Sequence, residues 1–406
     1  MFQHIEGYPG DPVLTLNEDF HRDQRSAKVN LGIGVYTDGS GVLPVMSAVA
    51  RAEATLLARS PARPYLPMEG APAYRRLIQQ LLFGAGHEAV TGGRIATVQT
   101  LGGSGALRLG ADFLQQFFGQ ARVWVSDPSW DNHRAIFAGA GCGIGSYRYY
   151  RREQRDVDFA AMLAACETMQ EGDVMLLHAC CHNPTGADLS HEQWRQLAAA
   201  LRKRKLVPFF DIAYQGFGAG LEDDSYALRH FAEQGMTFFV ASSCSKNFSL
   251  YGERVGSLSV VCPDASQADT VLGQLKAAVR RSYSSPPGHG AAVVAAVLGS
   301  APLRAEWAAE LEAMRLRIAA MRAGLCTRLA AQAPGHDFDY LLGQRGMFGY
   351  TGLSLSQVAA LRDAHGVYLV GSGRLCMAAL TPANLEYVAA ALAEVLRRGG
   401  AGGRPC

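Results

Sequence analysis

The chain has 406 residues, 49% of them apolar and 9% aromatic, and a formal net charge of +2. That length allows a large core and two or three domains, and the composition is ordinary for a globular protein in water. So small a charge does not suggest nucleic-acid or polyanion binding, and the one dense basic run, Arg202-Lys203-Arg204-Lys205, reads as a solvated helix end whose cations complement the helix dipole.

No basic segment with an apolar run behind it opens the chain, and no apolar stretch is long enough to span a bilayer. Nine cysteines occur without a Cys-x-x-Cys pair, and Cys142, Cys166, Cys180, Cys244 and Cys262 lie in or beside apolar segments. This pattern predicts reduced, packed thiols in a cytoplasmic protein, with only Cys406 in an exposed tail.

In chain order, residues 1–16, with Gly7, Pro9, Gly10 and Pro12, predict an extended arm. Val29 to Tyr36 is a short apolar run broken by glycines, and Asp38-Gly39-Ser40-Gly41 is a turn. A regular alternation starts near residue 94. A strand over 94–100 and a loop over 101–105 precede a helix with Ala106, Leu107, Gly110, Phe113, Leu114, Phe117 and Phe118 on one face. Further strands are predicted at 123–125, 174–179, 207–212, 238–242 and 258–261. Helices lie near 132–139 and after Ser190, where Gln193 completes a capping box. Short apolar strands alternating with amphipathic helices predict an α/β fold with a mostly parallel sheet covered on both faces. After residue 300 the texture changes. Trp307, Leu311, Met314, Ile318, Met321, Leu325 and Leu329 recur at intervals of three and four, which predicts one long helix. Strands near 348–351 and 367–370 and helices over 356–364 and 384–396 then predict a smaller α+β domain joined by that helix.

Ligands of open α/β sheets bind at the carboxyl ends of the strands, and the informative polar residues sit there. The stretch from Ala241 to Arg254 puts Lys246 where a buried strand becomes a loop. Burial disfavours the ammonium, and a neutral amine attacks carbonyls. Lys246 is therefore a candidate to carry an aldehyde cofactor as a Schiff base, with the serines and Arg254 as anion ligands. A surface lysine at a strand end is the competing reading. Ser104 and Gly105, between a strand and its helix, offer N–H groups and a helix dipole to a phosphate. Their glycine spacing is not that of a dinucleotide fold, because Arg108 stands where a third glycine belongs. Trp130 can stack on a flat ring or pack in the core. Asn183 in Asn-Pro-Thr-Gly and Asp211 in Asp-Ile-Ala-Tyr end further strands. A carboxylate after Val207-Pro208-Phe209-Phe210 needs a cation or several donors, and Tyr214 is close enough to serve the same site.

Three rival motifs fail. Ser243-x-x-Lys246 matches a serine-hydrolase element, but its companions Ser-Asp-Asn and Lys-Thr-Gly do not occur. His178, Cys180 and His182 have zinc-ligand chemistry, yet strand alternation would set them in extended spacing on one face, with no second cluster to complete four ligands. The nucleophile elbow breaks at Ala106, which replaces its last glycine.

Asn183-Pro-Thr-Gly186, Asp211-Ile-Ala-Tyr214, Ser243-Cys-Ser-Lys246 with Arg254, and Gly371-Ser-Gly-Arg374 together resemble the aspartate aminotransferase family. Tyr65-Leu-Pro-Met-Glu-Gly70, Gln99 to Ala106 and Tyr283-Ser-Ser-Pro-Pro287 are most similar to its bacterial aromatic-amino-acid (tyrosine) members. The resemblance runs from the N-terminal arm to residue 396. It implies the fold type I architecture of enzymes dependent on pyridoxal 5'-phosphate (PLP), with a seven-stranded sheet. The implied parts are an arm (1–15), a small domain (16–43 and 313–406) and a large cofactor domain (44–312).

The resemblance also implies roles. Lys246 would bind the cofactor and move the proton, and Asp211 would hold the pyridine nitrogen protonated so that the ring remains an electron sink. Asn183 and Tyr214 would bond its phenolic oxygen, and Trp130 would stack on its ring. Ser104, the Gly105 amide, Ser243 and Arg254 would hold its phosphate, reached by Tyr65 from the other subunit of a homodimer. Arg374 would clamp the substrate α-carboxylate beside Gly34, Trp130 and Asn183, and Arg280 would enter from the partner to pair a distal carboxylate. The implied reaction is ping-pong transamination between tyrosine, phenylalanine or aspartate, with tryptophan a further candidate, and 2-oxoglutarate. A mainly dicarboxylate-specific aspartate aminotransferase is the alternative, and a non-catalytic cofactor-binding module is a third reading. That module would need a DNA-binding domain ahead of the fold.

Departures from the pattern bear on the substrate. Aspartate-specific relatives tend to carry lysine near Thr37, threonine at Leu43, asparagine at Pro64, threonine at Ser104 and asparagine at Ser285. Losing that polar network eases the displacement of Arg280 by an aromatic ring, which buries roughly 150–250 Å² at about 25 cal/mol per Å². Dual specificity for aromatic and dicarboxylic amino acids is the expectation.

Overall fold

A computed structural model describes residues 2–7, 10–59 and 62–400. The described residues fall in two compact units, one drawn from positions up to 43 and from 317 onward, the other from 44 to 316. Cys406 lies outside the described residues; the other eight cysteines are free and buried. Among the described residues no helix is long and apolar enough to cross a membrane.

The larger unit is built on a seven-stranded sheet. Its strands are β1 (Ile95–Leu101), β2 (Arg122–Asp127), β3 (Gly143–Arg148), β4 (Val174–His178), β5 (Val207–Ile212), β6 (Phe238–Ser243) and β7 (Val255–Val261), arranged in the order β1-β7-β6-β5-β4-β2-β3. From β6 through β3 every pairing is parallel, while β7 runs antiparallel to both β6 and β1. The mostly parallel sheet is thus as expected. Every residue of β6 is buried, and in β5 all but Val207, as strands covered on both faces require. Phe209 stacks on Phe239 at 5.3 Å across the β5–β6 register, and Phe137 meets it edge-on at 5.4 Å.

The helix Gly102–Phe117 lays Ala106, Leu107, Phe113 and Leu114 into the core, but Phe117 and Phe118 are each 44% exposed and leave the expected stripe. The capping box of helix His191–Lys203 forms as predicted: Gln193 N donates to Ser190 Oγ, and Ser190 N to Gln193 Oε1. Because six strands run one way, their carboxyl ends lie along one edge. The segments carrying Ser104, Trp130, Asn183, Tyr214 and Lys246 all leave from that edge, and Arg254 enters β7 there.

The smaller unit corrects one expectation. The predicted extended arm becomes helical from Pro12, because Asp11 Oδ1 accepts from Val13 N and Leu14 N at 2.9 Å and proline is well suited to the first helical position. Two short pairings, Val29–Asn30 with Val367–Tyr368 and Phe348–Tyr350 with Arg374–Cys376, are flanked by helices Leu355–His365 and Leu385–Gly400. The predicted long helix is Ala301–Gln332. At its end in this unit, Arg317 lies 4.6 Å from the Tyr36 ring and donates to the carbonyls of Thr37, Ala378 and Leu380.

Candidate active site

An anion cradle forms where β1, β6 and β7 meet. Gly102 N donates to Arg254 O, and Cys244 N donates to Val255 O, so antiparallel pairing folds the Lys246 loop back on itself and returns Arg254 to the helix start. Arg254 Nη1 donates to Ser245 Oγ at 3.2 Å and to Tyr251 O at 3.1 Å. Gly102 has φ +66, and a Cβ there would lie 2.4 Å from Arg254 Nη2. Only glycine serves on both counts. The first turn of the helix then presents Gly103 and Ser104, whose backbone N–H groups precede the first helical hydrogen bond, with Gly105 next to them. A guanidinium, hydroxyls and a helix N-terminus in one place fit a phosphate group.

Lys246 follows immediately. Its Nζ lies 5.0 Å from the centre of the Tyr214 ring. The next two residues are pinned, since Trp307 Nε1 donates to Asn247 O at 2.7 Å and the Trp307 ring stacks on Phe248 at 4.6 Å. The lysine therefore stands on a fixed loop and is only half-buried.

Asp211, at the end of β5, is buried, and its Oδ2 accepts from His133 Nε2 at 3.0 Å. Nε2 donates to the carboxylate, and Nδ1 shares a hydrogen bond with the Ser129 hydroxyl at 2.9 Å. Burial pushes the Asp211 carboxyl up, but the hydrogen bond with His133 and the electrostatic pull of His133 and Lys246 outweigh it, and the group is held below its ordinary value. Behind this pair lie His178, 5.0 Å from His133, and His182, 4.4 Å from His178. Burial pushes His178 down to about 3 and His182 well below its usual range. His182 is fixed between Ser126 Oγ at 3.1 Å and Thr185 Oγ1 at 2.8 Å, and Tyr149 stacks on it at 3.8 Å. The result is an anionic carboxylate backed by neutral imidazoles, which fits a group that must keep a proton on a ring nitrogen.

The same geometry corrects the zinc-like spacing. β4 stops at His178 and the chain turns at Cys181 with φ +51, so His178, Cys180 and His182 do not share a strand face. Cys180 and Cys181 group instead with Asp224.

The structure brings Asp211, Tyr214, Lys246, Ser243 and Arg254 to one edge of the sheet, together with the buried Asn183 and the half-buried Trp130, whose ring meets His133 edge-on at 5.2 Å. In the smaller unit Arg374 is buried, donates to Gly32 O at 2.7 Å and lies 4.3 Å from the Phe348 ring. Gly34 approaches that ring so closely that a Cβ would fall 2.9 Å from Phe348 Cζ. Arg374 and Gly34 therefore share one local platform, and Phe348 is its base. Two predicted residues stand apart: Tyr65 is 96% exposed, and Arg280, in the last turn of helix Ala265–Ser282, is exposed and donates to Ser284 Oγ. His133, Ser129 and Phe348 are contributors that sequence reasoning missed. The cue for His133 was a histidine three residues after Trp130, on the first turn of a helix at the same sheet edge.

Comparison with known proteins decides the family. The model for aminotransferase class I and II matches residues 26–392. The chain belongs to that family. It is 56% identical over 397 residues to the aromatic-amino-acid aminotransferase of Escherichia coli strain K12, covering 98% of this chain and all of that protein. It is 48% identical over 396 residues to an aspartate aminotransferase of Pseudomonas aeruginosa, with 98% and 100% coverage. The crystal structure of the Burkholderia pseudomallei aromatic-amino-acid aminotransferase, covalently bound to pyridoxal phosphate, superposes with a TM-score of 0.96 at 50% identity, covering 98% of this chain and 99% of that one. This aminotransferase accordingly uses pyridoxal phosphate, and its phosphate cradle and anionic Asp211 fit that cofactor.

Proposed function

We propose that the protein transaminates tyrosine, phenylalanine and aspartate with 2-oxoglutarate, by a ping-pong cycle in a cytoplasmic homodimer. The observation that carries this reading is a lysine on a pinned loop sharing a strand-end site with a buried carboxylate held anionic by its neighbours. Pyridoxal phosphate, when bound, supplies the electron sink for the carbanion at the substrate Cα.

The remaining work falls to side chains. Arg254, Ser104, Ser243 and the Gly105 amide hold the phosphate, and Trp130 covers the ring. Asp211 keeps a proton at the ring nitrogen, with His133 orienting the carboxylate. Asn183 and Tyr214 would bond the phenolic oxygen, and Lys246 Nζ would take and return the Cα proton. Arg374, over the Phe348 ring, presents its guanidinium fork to the α-carboxylate. Tyr65 and Arg280, both exposed on the single chain, act across the dimer. The eight buried, free thiols support a reducing compartment.

Aromatic use is supported by Leu43, Pro64 and Ser285 at positions where dicarboxylate-specific relatives tend to be polar, and by 56% identity to an aromatic enzyme against 48% to an aspartate enzyme. Lys246→Ala tests the core of the proposal. The wild type purified with pyridoxal phosphate is expected to show a visible band that borohydride bleaches, and Lys246→Ala to lose the borohydride sensitivity and roughly six orders of magnitude of kcat. A colourless wild type overturns the assignment. Comparing kcat/KM for phenylalanine and aspartate tests the specificity, and negligible turnover of phenylalanine leaves only the aspartate aminotransferase reading.

A further inference from the structure

Two carboxylates beside the site, the half-buried Asp188 and the buried Asp224, have no part in the scheme above. After β4 the chain turns through Cys181, whose φ of +51 is in the left-handed region that a side chain seldom adopts. Asp188 holds that turn: its Oδ2 accepts from Cys181 N at 2.7 Å and its Oδ1 from His182 N at 2.8 Å. Asn183 is the next residue. Asp224 treats the loop after β5 in the same way. Its Oδ2 accepts from Gly216 N at 2.8 Å and Gly218 N at 2.9 Å, and its Oδ1 from Ala219 N at 2.7 Å. Tyr214 opens that loop.

The two loops also touch. Cys181 Sγ lies 3.8 Å from Tyr214 O. A Cβ on Gly218 would lie 2.5 Å from Asp224 Oδ1 and 3.2 Å from Cys181 Sγ, so no side chain can separate the loops. A shift of either backbone is therefore transmitted to the other.

We infer that Asp188 and Asp224 are positioning residues that hold the backbones of these two loops so that Asn183 and Tyr214 converge on one oxygen of the cofactor. The inference deepens the proposed function and depends on its assignment of Asn183 and Tyr214 to the phenolic oxygen. Neither carboxylate touches that oxygen; each acts through main-chain N–H groups. A carboxylate suits the task because it accepts on both oxygens and offers no donor, whereas an amide of the same shape turns an NH₂ toward one of the N–H groups.

A buried carboxylate at the far end of the sheet provides the control. Asp173, at the opposite end of β4, accepts from Arg122 N at 2.9 Å, Trp124 Nε1 at 2.8 Å and Gln170 N at 3.0 Å. Asp173→Asn loses bonds of the same kind far from the strand-end site. Asp188→Asn, Asp224→Asn and Asp173→Asn are purified with pyridoxal phosphate, and the pH midpoint of the visible band of the lysine-bound cofactor is measured. Hydrogen exchange is followed in the cofactor-free proteins.

The midpoint is expected to move by about half a unit or more in Asp188→Asn and Asp224→Asn and to stay at the wild-type value in Asp173→Asn. The Cys181 and His182 amides should exchange about tenfold faster or more in Asp188→Asn. If either amide variant does not fold, Asp188→Glu and Asp224→Glu keep the charge and both acceptors while displacing each loop by a methylene, and the same shift is expected. Unmoved midpoints in the variants, or an equal shift in Asp173→Asn, overturn the inference. A wild type without a pH-sensitive band defeats the cofactor reading itself, so the two failures are distinct.

Discussion

Asp211 and Asp224 are hidden to the same degree, at 6% and 4% exposure, yet their carboxyls move in opposite directions. Asp224 has more hydrogen bonds, three from backbone N–H groups, and is nevertheless pushed up to about 6 by burial, with the charge of Asp188 adding to the rise. Asp211 accepts one side-chain bond and is held below its ordinary value although burial opposes this. The number of donors does not decide the outcome. The kind of neighbour does: a side-chain hydrogen bond from His133 and a nearby ammonium favour the Asp211 anion, and another carboxylate faces Asp224. One region is built to keep an anion ready for a cationic ring, the other to hold backbone in place.

The sharpest way to break this comparison is to remove each charge while keeping its shape. Asp211→Asn is expected to lower kcat/KM by about 10³-fold or more, because the ring nitrogen loses the group that holds its proton. Asp224→Asn is expected to stay within about tenfold of wild type, since its bonds reach the site only through backbone. Equal losses would show that the two carboxylates do not differ in kind. The next effect is that of His133→Leu, which leaves Asp211 buried without its imidazole partner. The acid limb of the kcat/KM profile should rise by about one pH unit or more, and stability should fall by about 3 kcal/mol as an uncompensated charge is left inside. An unmoved acid limb would remove His133 from the explanation of the Asp211 charge.

Part of this contrast was legible in the sequence. Asp211 and Lys246 were found because each ends an apolar run that must be a buried strand, where a charge demands a reason. Asp224 and Asp188 gave no such signal, since in sequence they are loop aspartates and their backbone partners depend on how two loops pack. His133 was missed for a similar reason: helix Asn132–Gly139 looks ordinary, and its histidine meets Asp211 only because the sheet order sets β2, β4 and β5 side by side. The parallel strands were read from their apolar runs except β3, whose Gly-Ile-Gly-Ser-Tyr-Arg has no such run, and β7 was recognised only over its second half. Its polar residues Ser257 and Ser259 dilute the pattern, and they are satisfied across the sheet by Ser242 at 2.7 Å and Thr97 at 2.9 Å. An apolar run also reads alike in both directions, so the antiparallel setting of β7 had no trace in the sequence. The helix starting at Pro12 was hidden by its own proline, which breaks a helix interior but favours a helix start.

The smallest expected effect is on stability as a function of pH. A carboxyl raised from 3.8 to about 6 binds its proton more tightly in the folded chain than in the unfolded one. Between pH 4 and 6 the native state therefore carries the extra proton, and raising the pH through this window costs stability, by about 2–3 kcal/mol for such a shift. Asp211 works the other way: its depressed value gives stability that is present above pH 4 and is lost as the pH falls through its folded value. Chemical denaturation at pH 4, 5, 6 and 7 on wild type and Asp224→Asn separates the two. The wild type should lose stability across this window more steeply than the variant, in which position 224 no longer titrates. If both curves keep the same slope, Asp224 is not the group that takes up the proton, and its contrast with Asp211 fails.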